Sequence, residues 1–113
     1  MSAPAIIAAR DLPDRALDAA AQFHAILVPL VRAQAMEHPL VVIDFSITDH
    51  THAGWRQAVV GQLARECAPV RVNGVASQAD AHEPRAEAIA YLSRAPGVTG
   101  QILALDDNLN END

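Results

Sequence analysis

Six consecutive residues, Leu40-Val41-Val42-Ile43-Asp44-Phe45, are apolar but for one aspartate. A strand with one wet face alternates polar and apolar side chains, whereas an unbroken apolar run this short suits a strand covered on both faces of a parallel sheet. Ala5-Ile6-Ile7-Ala8-Ala9, Val70 to Val75 and Gln101 to Leu105 are three further short runs bounded by turn residues. Stretches with helical spacing separate all four. Strand and helix alternating in this way build βαβ units. The expected fold class is therefore α/β: one domain over residues 1–105, with a four-stranded parallel sheet and three crossover helices.

The helices are read from caps and periodicity. Asp14 is placed to cap a helix running to about Met36, with Leu17, Ala21, His24, Val28 and Val31 on one face. Pro29 falls inside it and should kink or divide it, because proline has no N–H to donate. A second helix is expected over 53–67, where Trp55, Val59, Leu63 and Cys67 recur at helical spacing before Ala68-Pro69. A third is expected over 85–94, opened by Pro84 and built on Ala88, Ile89 and Leu92. Right-handed crossovers stepping always the same way would put the helices preferentially on one face, leaving the other face and both edges open.

Charge and cysteine content narrow the class of partner. The net charge is −6, but Asp106, Asp107, Glu111 and Asp113 lie in the last eight residues. Residues 1–105 hold eight arginines against the ten remaining acids, a net of −2. The arginines form no stripe, which argues against nucleic acid, and 106–113 reads as a solvated, disordered acidic tail. Cys67 is the one cysteine, so no intrachain disulfide is possible. With no basic segment ahead of the first apolar run, a reducing cytoplasmic location is expected. The longest apolar stretches, Phe23 to Val31 and Leu40 to Ile43, fall short of the roughly 20 residues of a membrane span, so no membrane role is expected.

Two longer segments carry a family likeness. Leu63-Ala64-Arg65-Glu66-Cys67-Ala68-Pro69-Val70-Arg71-Val72-Asn73-Gly74-Val75-Ala76 resembles the helix and following strand of short-chain dehydrogenases/reductases, commonly written LARE-x-AP-x-RVN-x-VAP. Gly97-Val98-Thr99-Gly100-Gln101-Ile102-Leu103-Ala104-Leu105-Asp106 resembles that family's last strand, commonly x-VTGQ-x-LxVDGG. Val42 to Ser46 resembles the strand that carries the family's catalytic serine. The resemblance implies a small Rossmann-like domain, a truncated and degenerate relative corresponding to the family's carboxyl-terminal half. Its first strand would match the family's fourth.

The departures bear on activity. The family holds its cofactor pyrophosphate on a glycine-rich turn, and here no glycine precedes Gly54. Its catalytic unit is a tyrosine with a lysine four residues on. This sequence has no lysine, and its one tyrosine, Tyr91, falls in the last helix. Counted back from Leu63, the two positions are occupied by Asp49 and Ala53, which cannot do that proton transfer. No asparagine precedes Asn73, and Ser77-Gln78 replaces a proline-glycine pair. Self-sufficient NAD(P)-dependent dehydrogenase chemistry is excluded on these grounds, and no catalytic, cofactor-binding or metal residue is assigned.

The most polar cluster before the tail is Ser46 to His52, just beyond the carboxyl end of a strand, where open α/β sheets hold ligands. Ser46, Asp49, His50 and His52 are the candidate ligand-site residues. A histidine pair at i, i+2 lacks the helical i, i+4 spacing of a metal site, and no glycine elbow flanks Ser46. A polar turn capping the next helix through Thr48, Asp49 or Thr51 accounts for the same residues. His24 and His38 read as packing and end-cap residues, and Asp80, His82 and Glu83 as a solvated turn. Trp55 reads equally as core or interface, and Cys67 as a small buried hydrophobe.

Two functions follow as expectations. In the family the helices flanking the serine strand pack against a second subunit, and their counterparts here, 14–36 and 53–67, are present. A non-catalytic domain acting by association is the first, as a homodimer or an accessory subunit of a full-length relative. A small ligand-binding protein or enzyme using the 46–52 loop is the second.

Overall fold

The computed structural model describes residues 3–105; the acidic tail 106–113 lies outside the described residues. Four strands, β1 (Ala5–Ala9), β2 (Leu40–Ser46), β3 (Arg71–Ser77) and β4 (Ile102–Leu105), form one sheet in that order. All pairings are parallel, and the register runs Ile7↔Ile43↔Gly74↔Ile102. The helices are α1 (Ala16–Gln22), α2 (Val28–Ala35), α3 (Ala53–Cys67) and α4 (His82–Ser93). The expected α/β class, strand count and α3 boundaries are all found.

The unbroken run in β2 has the expected cause. Val41, Ile43 and Phe45 enter a core with Phe23, Val31, Val60 and Leu63, while Leu40 and Val42 join Val75, Ala88 and Leu92 on the opposite face. Layers α1, α2 and α3 therefore cover one face, and α4 covers the other behind β2, β3 and β4. This corrects the one-face expectation. The sheet order steps the same way at every crossover, so a helix on the opposite face makes the last crossover opposite in hand to the first two. What stays open is the α4 side of β1, where Ile6 and Ala8 are exposed between buried Ala5, Ile7 and Ala9.

The reversed crossover is pinned by polar residues of the RVN motif. Arg71 Nη1 donates to the carbonyls of Leu92 and Ala95, each at 2.8 Å. Buried Asn73 donates to Val98 O at 2.9 Å and accepts from Gln101 N at 3.0 Å. Gly74 supplies a close approach: a Cβ there would lie 3.0 Å from the Phe45 ring and 3.3 Å from Ile102.

The first helix departs from its expected form. A π-helical turn, Phe23–Leu27, joins α1 to α2 just ahead of Pro29. That turn accommodates one extra residue, so the face ahead of it rotates by about 100°. Ala19 and Phe23 are buried before Val28 and Val31, whereas Leu17, Ala21 and His24 are exposed. Asp14 does not cap: the position before α1 is Arg15, with no side-chain cap bond. His24 is exposed and His38 half-buried, and they donate to Ala20 O and Ala3 O. His82 and Glu83 lie in the first turn of α4, not in a loop. Taken whole, residues 16–35 are long and apolar enough to cross a membrane by length and composition alone, which unbroken apolar runs did not reveal. In the fold, this helix packs its buried side on the sheet.

Candidate functional site

The loop leaving β2 crosses the carboxyl edge of the sheet and enters a 3₁₀ turn, His50–His52, ahead of α3. Asp49 caps that turn. Its Oδ1 accepts from Thr51 N at 2.9 Å and from the Thr51 hydroxyl, and the hydroxyl bond above all holds its carboxyl below the usual carboxylate range.

The four candidate residues do not converge on one point. His52 is buried, and both ring nitrogens are used: Nε2 donates to Asp14 O at 2.8 Å, and Nδ1 accepts from Trp55 Nε1 at 3.1 Å. That histidine ties the start of α1 to the start of α3 and has no lone pair left for a ligand. Alternation along β2 puts Ser46 on the α4 face with Leu40 and Val42. Asp49 and exposed His50 do come together, lining a cavity of about 310 Å³. Among the described residues, no group of three or more His, Cys, Asp or Glu side chains is arranged to hold a metal.

The cavity opens between the 47–50 loop, the first turns of α3 and the ends of β3 and β4. Ala76, Ile102 and Ala104 form its apolar wall, and Ala53 and Gln57 face them. Asp49 and Ala53, which stand where the resemblance places tyrosine and lysine, both line it. Its most buried polar residue is one that sequence reading passed over, Arg56. The side chain is only 6% exposed. Its Cζ lies 4.4 Å from the centroid of the Phe45 ring, and Nη1 donates to Ser46 O at 2.8 Å. Nε is buried without a partner, and among the described residues no carboxylate pairs with it. Desolvation, and after it the charge of Arg10, lowers the pKa of the guanidinium. The signal was available: Arg56, Val59, Val60 and Leu63 keep the i, i+3, i+4, i+7 spacing of one buried face, with a charge in the first place.

A second polar cluster was also missed. On the α4 side of the same edge, Arg10 Nη1 meets Asp44 Oδ1 at 2.9 Å and Phe45 O at 3.0 Å, while Nη2 donates to Ser77 O at 2.7 Å. Arg85 Nε donates to Ser77 Oγ at 2.9 Å and lies 3.7 Å from Asp44. This network joins the ends of three strands and holds them in register. Trp55 proves to be half-buried, its ring 5.5 Å from Phe23 and 6.1 Å from Phe45, so its packing is with the core. Cys67 is half-buried at the end of α3, and burial, then the Glu66 charge, raises its thiol pKa.

Comparison with known proteins fits this architecture. A family model described as short chain dehydrogenase-like protein (SDR-like) matches residues 7–105. No curated protein and no solved structure matches the chain. Four parallel strands with intervening helices, and the motif residues pinning β3 to β4, lie within the matched span. The chain belongs to the short chain dehydrogenase-like family.

Proposed function

We propose that this protein works by association rather than by dehydrogenase chemistry, as a homodimer or as an accessory subunit of a full-length relative. The observation that carries this reading is the outer side of α1, the π turn and α2. Leu17 and Met36 are each 86% exposed, and Ile26 and Leu30 are roughly half exposed. An apolar side this extended on a small domain is costly to leave in water and suits a partner surface. The outward residues of α3 include Gln57, Gln62 and Arg65, so the apolar contribution falls to the first helix pair. Arg32 pairs with Glu66 across α2 and α3, Nη2 to Oε1 at 2.9 Å, which holds that pair in place beside α3.

Light scattering after size exclusion, over a range of concentrations, tests this. The wild type is expected to run as a dimer and the double variant Ile26→Glu/Leu30→Glu as a monomer. A wild type that stays monomeric throughout, with no co-purifying relative, sinks the proposal.

A second reading, a small-ligand protein working from the 46–52 loop, draws support from the cavity beside Asp49 and His50. His50→Ala should weaken a bound ligand without lowering the melting temperature. His52 is unsuited to that test, since its removal breaks two structural bonds.

A further inference from the structure

We infer that the cavity at the carboxyl edge of the sheet binds a small organic carboxylate through Arg56. This deepens the ligand-binding reading but rests on a residue outside the loop that suggested it. Each of the other inward-reaching arginines is held by several fixed acceptors. Arg71 ends on carbonyls, and Arg10 and Arg85 share Asp44 and add carbonyl or hydroxyl acceptors. Arg56 has one carbonyl, an aromatic face and no anion. Arginine stays protonated even where burial opposes it, so the charge persists. A cation buried without a counter-ion is unfavourable, and it stands at the wall of an open cavity.

The lining narrows the anion. Ala76, Ile102, Ala104 and Ile47 give apolar surface suited to a carbon skeleton, while the Arg56 guanidinium at the cavity wall suits a carboxylate. A phosphate is a poorer match. There is one guanidinium and no glycine-rich cradle, and the Asp49 carboxylate at the rim opposes a doubly charged anion more strongly than a singly charged one. Asp49 and His50 are then placed to meet a polar substituent at the far end of a monocarboxylate.

The experiment uses the full chain and its own reporter. Trp55 is the sole tryptophan, and its ring centroid lies 5.9 Å from the Arg56 Cζ. Butyrate, 3-hydroxybutyrate and inorganic phosphate are titrated at constant ionic strength while Trp55 emission is followed. The expected result is saturable quenching or shift by a carboxylate, at least tenfold weaker response to phosphate, and at least tenfold loss of carboxylate affinity in Arg56→Met. Arg56→Lys should fall between the two. The melting temperature of Arg56→Met should hold or rise, which separates lost binding from lost folding. The inference is overturned if no carboxylate saturates the wild type at millimolar concentration, if phosphate binds more tightly, or if Arg56→Met binds as well as wild type. Loss of binding in Arg56→Met with His50→Ala unaffected would support the Arg56 site and reject the loop reading.

Discussion

On the α4 side of the sheet's carboxyl edge, Arg10 and Arg85 converge on Asp44 and on acceptors of Phe45, Ser77 and Gln78. On the α3 side of the same edge, Arg56 lies on Phe45 with a single carbonyl bond and an unpartnered Nε. Both groups are cationic and largely buried, yet one is part of a closed network and the other faces a cavity. Interior charge is structural when its donors are consumed by fixed acceptors. It is available for binding when they are not.

The largest test of this contrast removes the platform itself. Phe45→Ala strips the aromatic contact from Arg56 and empties the centre of the main core, so unfolding in urea should show a loss of about 4 kcal/mol. Breaking the closed side comes next. Asp44→Asn leaves Arg10 and Arg85 without their carboxylate, and because all three side chains keep some exposure, at 22%, 15% and 15%, the expected loss is about 2 kcal/mol. His52→Ala should cost about 1–2 kcal/mol in the same assay, through the orphaned Asp14 carbonyl and Trp55 N–H.

The open side should respond with the opposite sign. Arg56→Met removes an uncompensated buried charge and keeps the volume, so stability should rise by about 1 kcal/mol. A loss comparable to that of Asp44→Asn would show that Arg56 is structural after all.

The smallest effect concerns pH. Asp49 has a depressed carboxyl pKa, mainly from the Thr51 hydroxyl. Its stabilising contribution is therefore present above the ordinary carboxylate range near pH 4 and is lost as pH falls through and below it. The melting-temperature gap between wild type and Asp49→Asn should close as pH drops through that window. A gap independent of pH would remove the charged cap from the account.

How much of this was legible in the chain depended on whether a residue's role was local. The run from Leu40 to Phe45 announced a doubly covered strand because burial on both faces demands it. The period through Val59 and Leu63 marked α3, since those residues share one helical face. The face of the first helix was misread because Phe23–Leu27 adopts a π turn, and one additional residue in a turn leaves no mark in composition. The reversed last crossover was invisible for a similar reason. Its cause is a long-range set of bonds between the side chains of Arg71 and Asn73 and backbone groups 21 to 28 residues away. At the site, Asp49 was legible only as one of three cap candidates with Thr48 and Thr51, and the structure selects it through its bond to Thr51 N. The burial of Arg56 was legible from its spacing with Val59, Val60 and Leu63, but its lack of a counter-ion is a property of the assembled fold.

Gly74 has a reach beyond its own strand. The missing side chain gives the Phe45 ring its resting place, and that ring is the surface on which the Arg56 guanidinium lies. A single methyl group at position 74 would press on the ring and so displace a charge carried by a different element, with no change in any residue that lines the cavity. Heritable variation can thus retune this site from behind, and divergence among related chains at position 74 should track divergence at 45 and 56 more closely than divergence at the rim.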